Sequence, residues 1–253
     1  MKEQKLLVVD LDGTFVLDST VVAKDDLAAF QKVSKALYTA VATGRSIKEI
    51  EYIEEQNSLQ LDYKIAFNGA YIMDKFGHVL HDQPIPNEKV NRLLLFIQSH
   101  KLIFDALDGK ERIGNFQHEK PASLWNMELV CLENPFPLLE GKKIYKINIR
   151  PNINHAHELY KRLKKEFPDL SIYKTGKRRI EITDFGVSKG TAIKKCLLGA
   201  STKIIAVGDS ENDIDMFRKA HVSYCMGHAE EHVKKEATYT IKRFSHILEN
   251  SFK

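Results

Sequence analysis

Leu6-Leu7-Val8-Val9 is an unbroken apolar run ending at Asp10, the pattern of a strand buried on both faces of a parallel sheet. Lys24 to Lys35 sets Leu27, Phe30 and Val33 near helical spacing and predicts a helix. Leu37 to Ala42 predicts a second strand, broken at Thr43-Gly44-Arg45. Ser46, with Glu49 three residues on, is a capping-box pattern opening a helix through Gln56. Tyr63 to Phe67 predicts a third strand, broken at Asn68-Gly69. This alternation predicts right-handed βαβ units and a parallel sheet.

The style changes after Ala70. Tyr71 to Met73 and His78 to His81 flank a turn and predict a hairpin; Pro84 and Pro86 bracket a linker. A helix over Asn87 to His100 follows, then strands around Leu102 to Asp105 and Arg112 to Phe116, and an unassigned stretch to Glu140. Lys143 to Arg150 alternates, with Ile144, Lys146, Asn148 and Arg150 against Tyr145, Ile147 and Ile149, so one face is polar and the other apolar. A helix over Ala156 to Phe167 and strands at Ser171 to Lys174 and Arg179 to Thr183 complete an α+β unit.

From Ser188 the first style returns: helix Lys189 to Leu198, strand Ile204 to Val207 broken at Gly208-Asp209, helix Asp213 to Lys219, strand Val222 to Tyr224, a helix near Glu230 to Glu236, and strand Tyr239 to Ile241. The fold class expected is α/β. A Rossmann-like parallel-sheet core (residues 1–82 and 186–253) is interrupted by an α+β insert (residues 83–185).

With 43% hydrophobic and 28% charged residues among 253, the chain is ordinary for a globular protein and disorder is excluded. The net charge of +4 is mild and dispersed, which argues against nucleic acid as partner and suits a small anionic substrate. Cys131, Cys196 and Cys225 show no C-x-x-C spacing, so neither a disulfide framework nor a thiolate zinc site is expected. No apolar run reaches the length of a signal sequence or a membrane span, and a cytoplasmic location is expected.

The chemistry gathers where the core strands end. C-terminal strand ends of an open parallel sheet line the crevice that binds ligands, which places Asp10, Asp12, Thr43, Asn68 and Asp209 on one edge. In Asp10-Leu11-Asp12-Gly13-Thr14 two carboxylates leave the strand in nearly the same direction, and Gly13 permits a sharp turn. A hard cation relieves their repulsion, and Mg²⁺ prefers one or two carboxylates with water and phosphate oxygens. One carboxylate can then attack phosphorus while the other handles protons. Gly208-Asp209-Ser210-Glu211-Asn212-Asp213 ends a second buried strand and opens a helix, so Asp209 is the remaining candidate metal carboxylate, with Asn212 and Asp213 one turn on. Thr43 and Gly44 offer a hydroxyl and an N–H to phosphate oxygens, and Lys189 a compact cation.

These motifs, with Asn68-Gly69-Ala70, Gly186-Val187-Ser188-Lys189-Gly190 and Met226-Gly227-His228-Ala229, resemble the haloacid dehalogenase superfamily, specifically its Cof-like phosphatases with an inserted α+β (type IIB) cap. His228 stands where that family usually has asparagine, and the tail after Ile241 departs from its pattern. The resemblance implies a Mg²⁺-dependent phosphatase of small phosphorylated metabolites. Asp10 would be nucleophile and metal ligand, Asp12 the acid–base group giving the metal its backbone carbonyl, Asp209 a metal ligand and Asp213 its support. Leu11 (through its backbone), Thr43, Gly44, Lys189 and Asn212 would hold phosphoryl oxygens.

Other readings remain open at this level. His228-Ala229-Glu230-Glu231-His232 fits an inverted zinc-peptidase pattern with two histidines one helical turn apart. A phosphosugar mutase shares the first half-reaction, and a non-catalytic binding protein can share the fold. Lys174, Lys177, Arg178 and Arg179 are expected to be a solvated hairpin rather than a hook for a second anion. Trp125 is assigned to packing.

Overall fold

The computed structural model describes residues 2–16, 20–118, 127–176, 178–196 and 201–251. Lys177 and Trp125 lie outside them, and the helix predicted over Lys189 to Leu198 already ends at Ile193. Strands β1 (Glu3–Val9), β2 (Leu37–Ala42) and β3 (Tyr63–Ala66) run parallel, with helices Lys24–Ser34 and Ile47–Asn57 in the crossovers. β4 (Tyr71–Asp74) and β5 (Val79–Asp82) fold back antiparallel along the β3 edge. The chain then builds a separate sheet from β6 (Phe104–Leu107), β7 (Glu111–Gly114), β8 (Glu128–Cys131), β9 (Lys146–Ile149), β10 (Leu170–Thr175) and β11 (Arg179–Asp184). It returns to the first sheet with β12 (Lys203–Gly208), β13 (Val222–Met226) and β14 (Tyr239–Ile241). The first sheet is ordered β14-β13-β12-β1-β2-β3-β4-β5 and the second β10-β11-β9-β6-β7-β8.

β1 is buried on both faces, as its apolar run requires. Leu7 and Val9 pack with Phe30, Val33, Ile50 and Ile53 on one side. Leu6 and Val8 pack with Ala192, Ile193, Met216 and Phe217 on the other. The strand order reverses at β1, which lies between β2 and β12, so a crevice opens at the carboxyl ends of β1 and β12.

The second sheet has one apolar and one polar face. Phe104, Ala106, Ile113, Ile147, Ile149, Ile180 and Ile182 join a core that includes Leu93 and Ile97 of helix Asn87–Ser99 and Leu163 of helix Ala156–Glu166. The alternate positions, among them Asp105, Arg112, Lys146, Asn148 and Glu181, are polar yet buried. The alternation read from Lys143 to Arg150 is therefore present, but its polar side is enclosed rather than wet.

Several element boundaries differ from the sequence expectation for local reasons. The strand expected at Leu102 to Asp105 starts at Phe104, because Lys101 takes φ +50° and the Leu102 N–H bonds back to Ile97 O at 3.0 Å, finishing the preceding helix. The helix expected from Asp213 begins as a 3₁₀ turn, Glu211–Asp213, and becomes α-helical over Ile214–Lys219. The helix expected near Glu230 to Glu236 spans only Glu231–Lys234. All three cysteines are free thiols. Among the described residues no helix is long and apolar enough to cross a membrane.

Candidate active site

Asp10 leaves β1 with its N–H bonded to Val207 O of β12 at 2.9 Å. The following turn folds on itself, Leu11 O accepting from Thr14, Phe15 and Val16 N–H. Gly13 takes φ +85°, and a Cβ there would collide with the Asp209 carboxylate, so the turn needs glycine for both conformation and space. Ser188 caps the helix Lys189–Ile193 through a capping box and fixes where Lys189 enters the crevice. The buried Lys189 Nζ donates to Asp10 Oδ1 at 2.6 Å and to Asp213 Oδ1 at 2.7 Å. Asp213 Oδ2 accepts from the N–H groups of Asp209 and Ser210 at 3.0 Å each.

Asp10, Asp209 and Asp213 each offer a carboxylate oxygen, all within 4.8 Å of one another. Three carboxylates face one ammonium. Burial pushes the Asp10 pKa well up; Lys189 opposes the rise, and Asp213, Asp209 and Asp12 add to it. Burial and then Asp213 raise that of Asp209 as well. For Lys189 burial favours the neutral amine, but Asp10 and Asp213 outweigh it and hold the ammonium. An all-oxygen donor set with surplus negative charge fits a hard divalent cation.

The other expected site residues surround this cluster. Asp12, Thr43, Gly44 and Asn212 line, with Asp10, a cavity of about 180 Å³ between the two sheets. The Asp12 side chain stands outside the three-carboxylate group and is gripped by Arg45, whose Nε reaches Oδ2 at 2.9 Å and whose Nη2 bonds Oδ1. Partial desolvation in the cavity would raise the pKa of Asp12, whose side chain is 51% exposed, but the Arg45 hydrogen bonds and charge outweigh it and lower the pKa. Leu11 is buried in the core, leaving only its backbone for a ligand. Asn68 takes φ +59° and bridges the sheets, donating to Glu181 Oε2 at 2.7 Å and accepting from Asn212 Nδ2 at 3.1 Å.

Sequence reasoning missed the opposite wall. Arg112, Lys146, Asn148, Arg150 and Glu181 line the same cavity from the second sheet. Arg179, expected in a solvated hairpin, also lines it and pairs with Glu181 at 3.2 Å. Lys146 Nζ bonds Gly44 O and lies 3.2 Å from Glu181 Oε1. A Cβ on Gly44 would come within 2.8 Å of Glu181 and 2.9 Å of Lys146, so this glycine admits the other sheet's charges. The available signal was the alternation of Lys146, Asn148 and Arg150, which marks a polar face without saying what covers it.

The H-x-x-E-H pattern does not form a histidine site. Its helix begins at Glu231, so His228 lies outside it; His228 meets Asp209 at 3.3 Å while His232 meets Glu230 at 3.3 Å.

The profile of haloacid dehalogenase-like hydrolases matches residues 7–245. A 5-amino-6-(5-phospho-D-ribitylamino)uracil phosphatase of Bacillus subtilis (strain 168) is 27% identical over 240 residues, covering 93% of this chain and 88% of its own. A second B. subtilis phosphatase of the same name is 24% identical over 273 residues, covering 94% and 93%. Among solved structures, a HAD subclass IIB sugar phosphatase shares the fold with TM-score 0.80 at 22% identity, covering 97% of this chain and 98% of that one.

Proposed function

The chain belongs to the haloacid dehalogenase-like hydrolases and is a phosphatase, and from that premise we propose a Mg²⁺-dependent hydrolysis of small phosphorylated metabolites through an aspartyl-phosphate on Asp10. The observation carrying this reading is the meeting of Asp10, Asp209, Asp213 and Lys189 at the ends of two adjacent parallel strands. Asp10 attacks phosphorus and the ester bond breaks; Asp12, ionised in the free protein, first takes the proton of the incoming phosphate monoester monoanion and then gives it to the leaving oxygen. Asp12 then takes a proton from water, which attacks the acyl-phosphate, releasing phosphate and restoring Asp10. Its ionised state beside Arg45 suits that second step.

The Leu11 and Gly44 N–H groups, the Thr43 hydroxyl, the Asn212 amide and Lys189 hold phosphoryl oxygens. Lys189 offsets their charge where bulk water is excluded. The Asp10 and Asp209 carboxylates and the Asp12 carbonyl would hold Mg²⁺, with Asp213 supporting Asp209; the ion, when bound, supplies positive charge beside the phosphoryl group. Residues 83–185 act as a cap over a core of 1–82 and 186–253. The cavity's volume of about 180 Å³ lies below the ~300–1,000 Å³ usual for ligand pockets, which favours a small metabolite over a phosphoprotein.

The test is phosphate release from p-nitrophenyl phosphate and a metabolite panel, with Mg²⁺ or with EDTA. The panel includes 5-amino-6-(5-phospho-D-ribitylamino)uracil, the compound in the names of two relatives. Turnover is expected with Mg²⁺, at least about a hundredfold slower in Asp10→Asn and after metal removal. Undiminished turnover in either condition overturns the reading.

A further inference from the structure

We propose that the divalent cation reaches Asp209 through a second cavity, separate from the one that takes the phosphate ester, so that the two ligands enter by mouths of opposite charge. The inference rests on the metal reading above and adds the route by which the site is filled.

The three carboxylates are not equally open. The side chains of Asp10 and Asp213 are 5% and 0% exposed, that of Asp209 16%. Among the described residues, the catalytic cavity is lined by Asp10 and not by Asp209. Asp209 instead lines a cavity of about 370 Å³, with Glu211, His228 and Glu230 from the first sheet's side and Tyr160 and Lys174 from the second's. Tyr160 Oη donates to Glu211 Oε1 at 3.1 Å, and His228 Nε2 lies 3.3 Å from Asp209 Oδ2. The accessible edge of Asp209 thus faces this space, next to the His228 ring.

Charge separates the two cavities. In the described lining of the second, the carboxylates of Asp209, Glu211 and Glu230 outnumber the one ammonium, Lys174. Around the catalytic cavity, five arginines and lysines outnumber four carboxylates. Arg178, which is exposed, lines an adjoining cavity that shares Arg150, Thr175 and Arg179 with it. Fields of opposite sign steer an anion to one mouth and a cation to the other. Mg²⁺ sheds its water reluctantly, and the second cavity has room for an ion with its hydration shell. An ester already seated beside Asp10 then leaves the cation's path open.

The experiment uses Mn²⁺ as the probe and needs no turnover. Its Kd is read from the EPR signal of the free ion, and its release rate from stopped-flow mixing of the loaded protein with a fluorescent chelator; the two give the association rate. Glu230→Lys is expected to slow association about threefold or more at low ionic strength, and Lys174→Glu to speed it by a similar factor. Both effects should shrink in about 0.5 M salt, where fields between exposed charges are screened. Arg178→Glu, at the other mouth, is expected to leave Mn²⁺ association within about 1.5-fold of wild type while raising KM for p-nitrophenyl phosphate. Faster association in Arg178→Glu with the other two unmoved would place the cation's entry at the ester's mouth and overturn the proposal, as would one rate in all four proteins. A wild type that binds no Mn²⁺ would overturn the metal reading and this inference with it, so the two failures are told apart. Glu230 is 76% exposed, and its variant decides the matter if Lys174→Glu does not fold.

Discussion

Lys189 is the residue on which the candidate site's electrostatics turn, held between Asp10 and Asp213 at 1% exposure. Removing one member of a buried charged set leaves the others uncompensated, which costs about 3–5 kcal/mol. Lys189→Met keeps much of the side chain's length and is expected to lose about that much in urea denaturation without added metal. It is also expected to lower kcat by at least about a hundredfold, since the phosphoryl charge loses its cation. Asp10, Lys189 and Asp209 were legible because each follows or opens a segment whose pattern is plain, and strand ends in a parallel sheet converge. Arg112, Asn148 and Glu181 were not. They sit on three strands of ordinary alternation, and periodicity gives the face a residue shares without giving what lies opposite.

At the scale of elements, local chemistry and structure agree best where a side chain closes its own backbone. Ser46 Oγ accepts from Glu49 N at 3.2 Å and Glu49 Oε2 accepts from Ser46 N at 2.8 Å, completing the capping box read from the sequence. Ser46→Ala is expected to cost about 1 kcal/mol, read from the shift of a urea unfolding midpoint at unchanged slope. Legibility fails where an element's end is decided by its neighbours. β1 begins at Glu3, three residues before its apolar run, because Glu3 N–H finds Ala36 O at 2.8 Å, a bond that no apolar pattern announces.

Across the whole molecule the two sheets are joined through Glu181, which takes Asn68 from one and Lys146 and Arg179 from the other. Burial would raise the Glu181 pKa, but Lys146 and Arg179, helped by the Asn68 hydrogen bond, hold it far below the ordinary glutamate range. A depressed carboxylate contributes its full stability above the unfolded pKa near 4.5 and loses it as pH falls towards the folded value. Glu181→Gln is therefore expected to cost about 3 kcal/mol at pH 7. The gap to wild type should hold steady down to about pH 4.5 and narrow below it, as read by urea denaturation at stepped pH. A gap that widens in acid would contradict this.

The remaining join is of a different kind. Phe67 stacks on Tyr145 with ring centres 5.0 Å apart, and Gln83 bonds Asp184 at 2.8 Å where the two chain crossings lie together. Elsewhere the described bonds across the meeting seam are mainly polar, among them Asn68 with Glu181, Lys146 with Gly44 O and Tyr160 with Glu211, and the buried Met127 accepts from Ser46 Oγ. Flooding the seam leaves both oily interiors shut. A separation along that seam would expose groups that water can pair while the apolar cores behind each sheet stay covered.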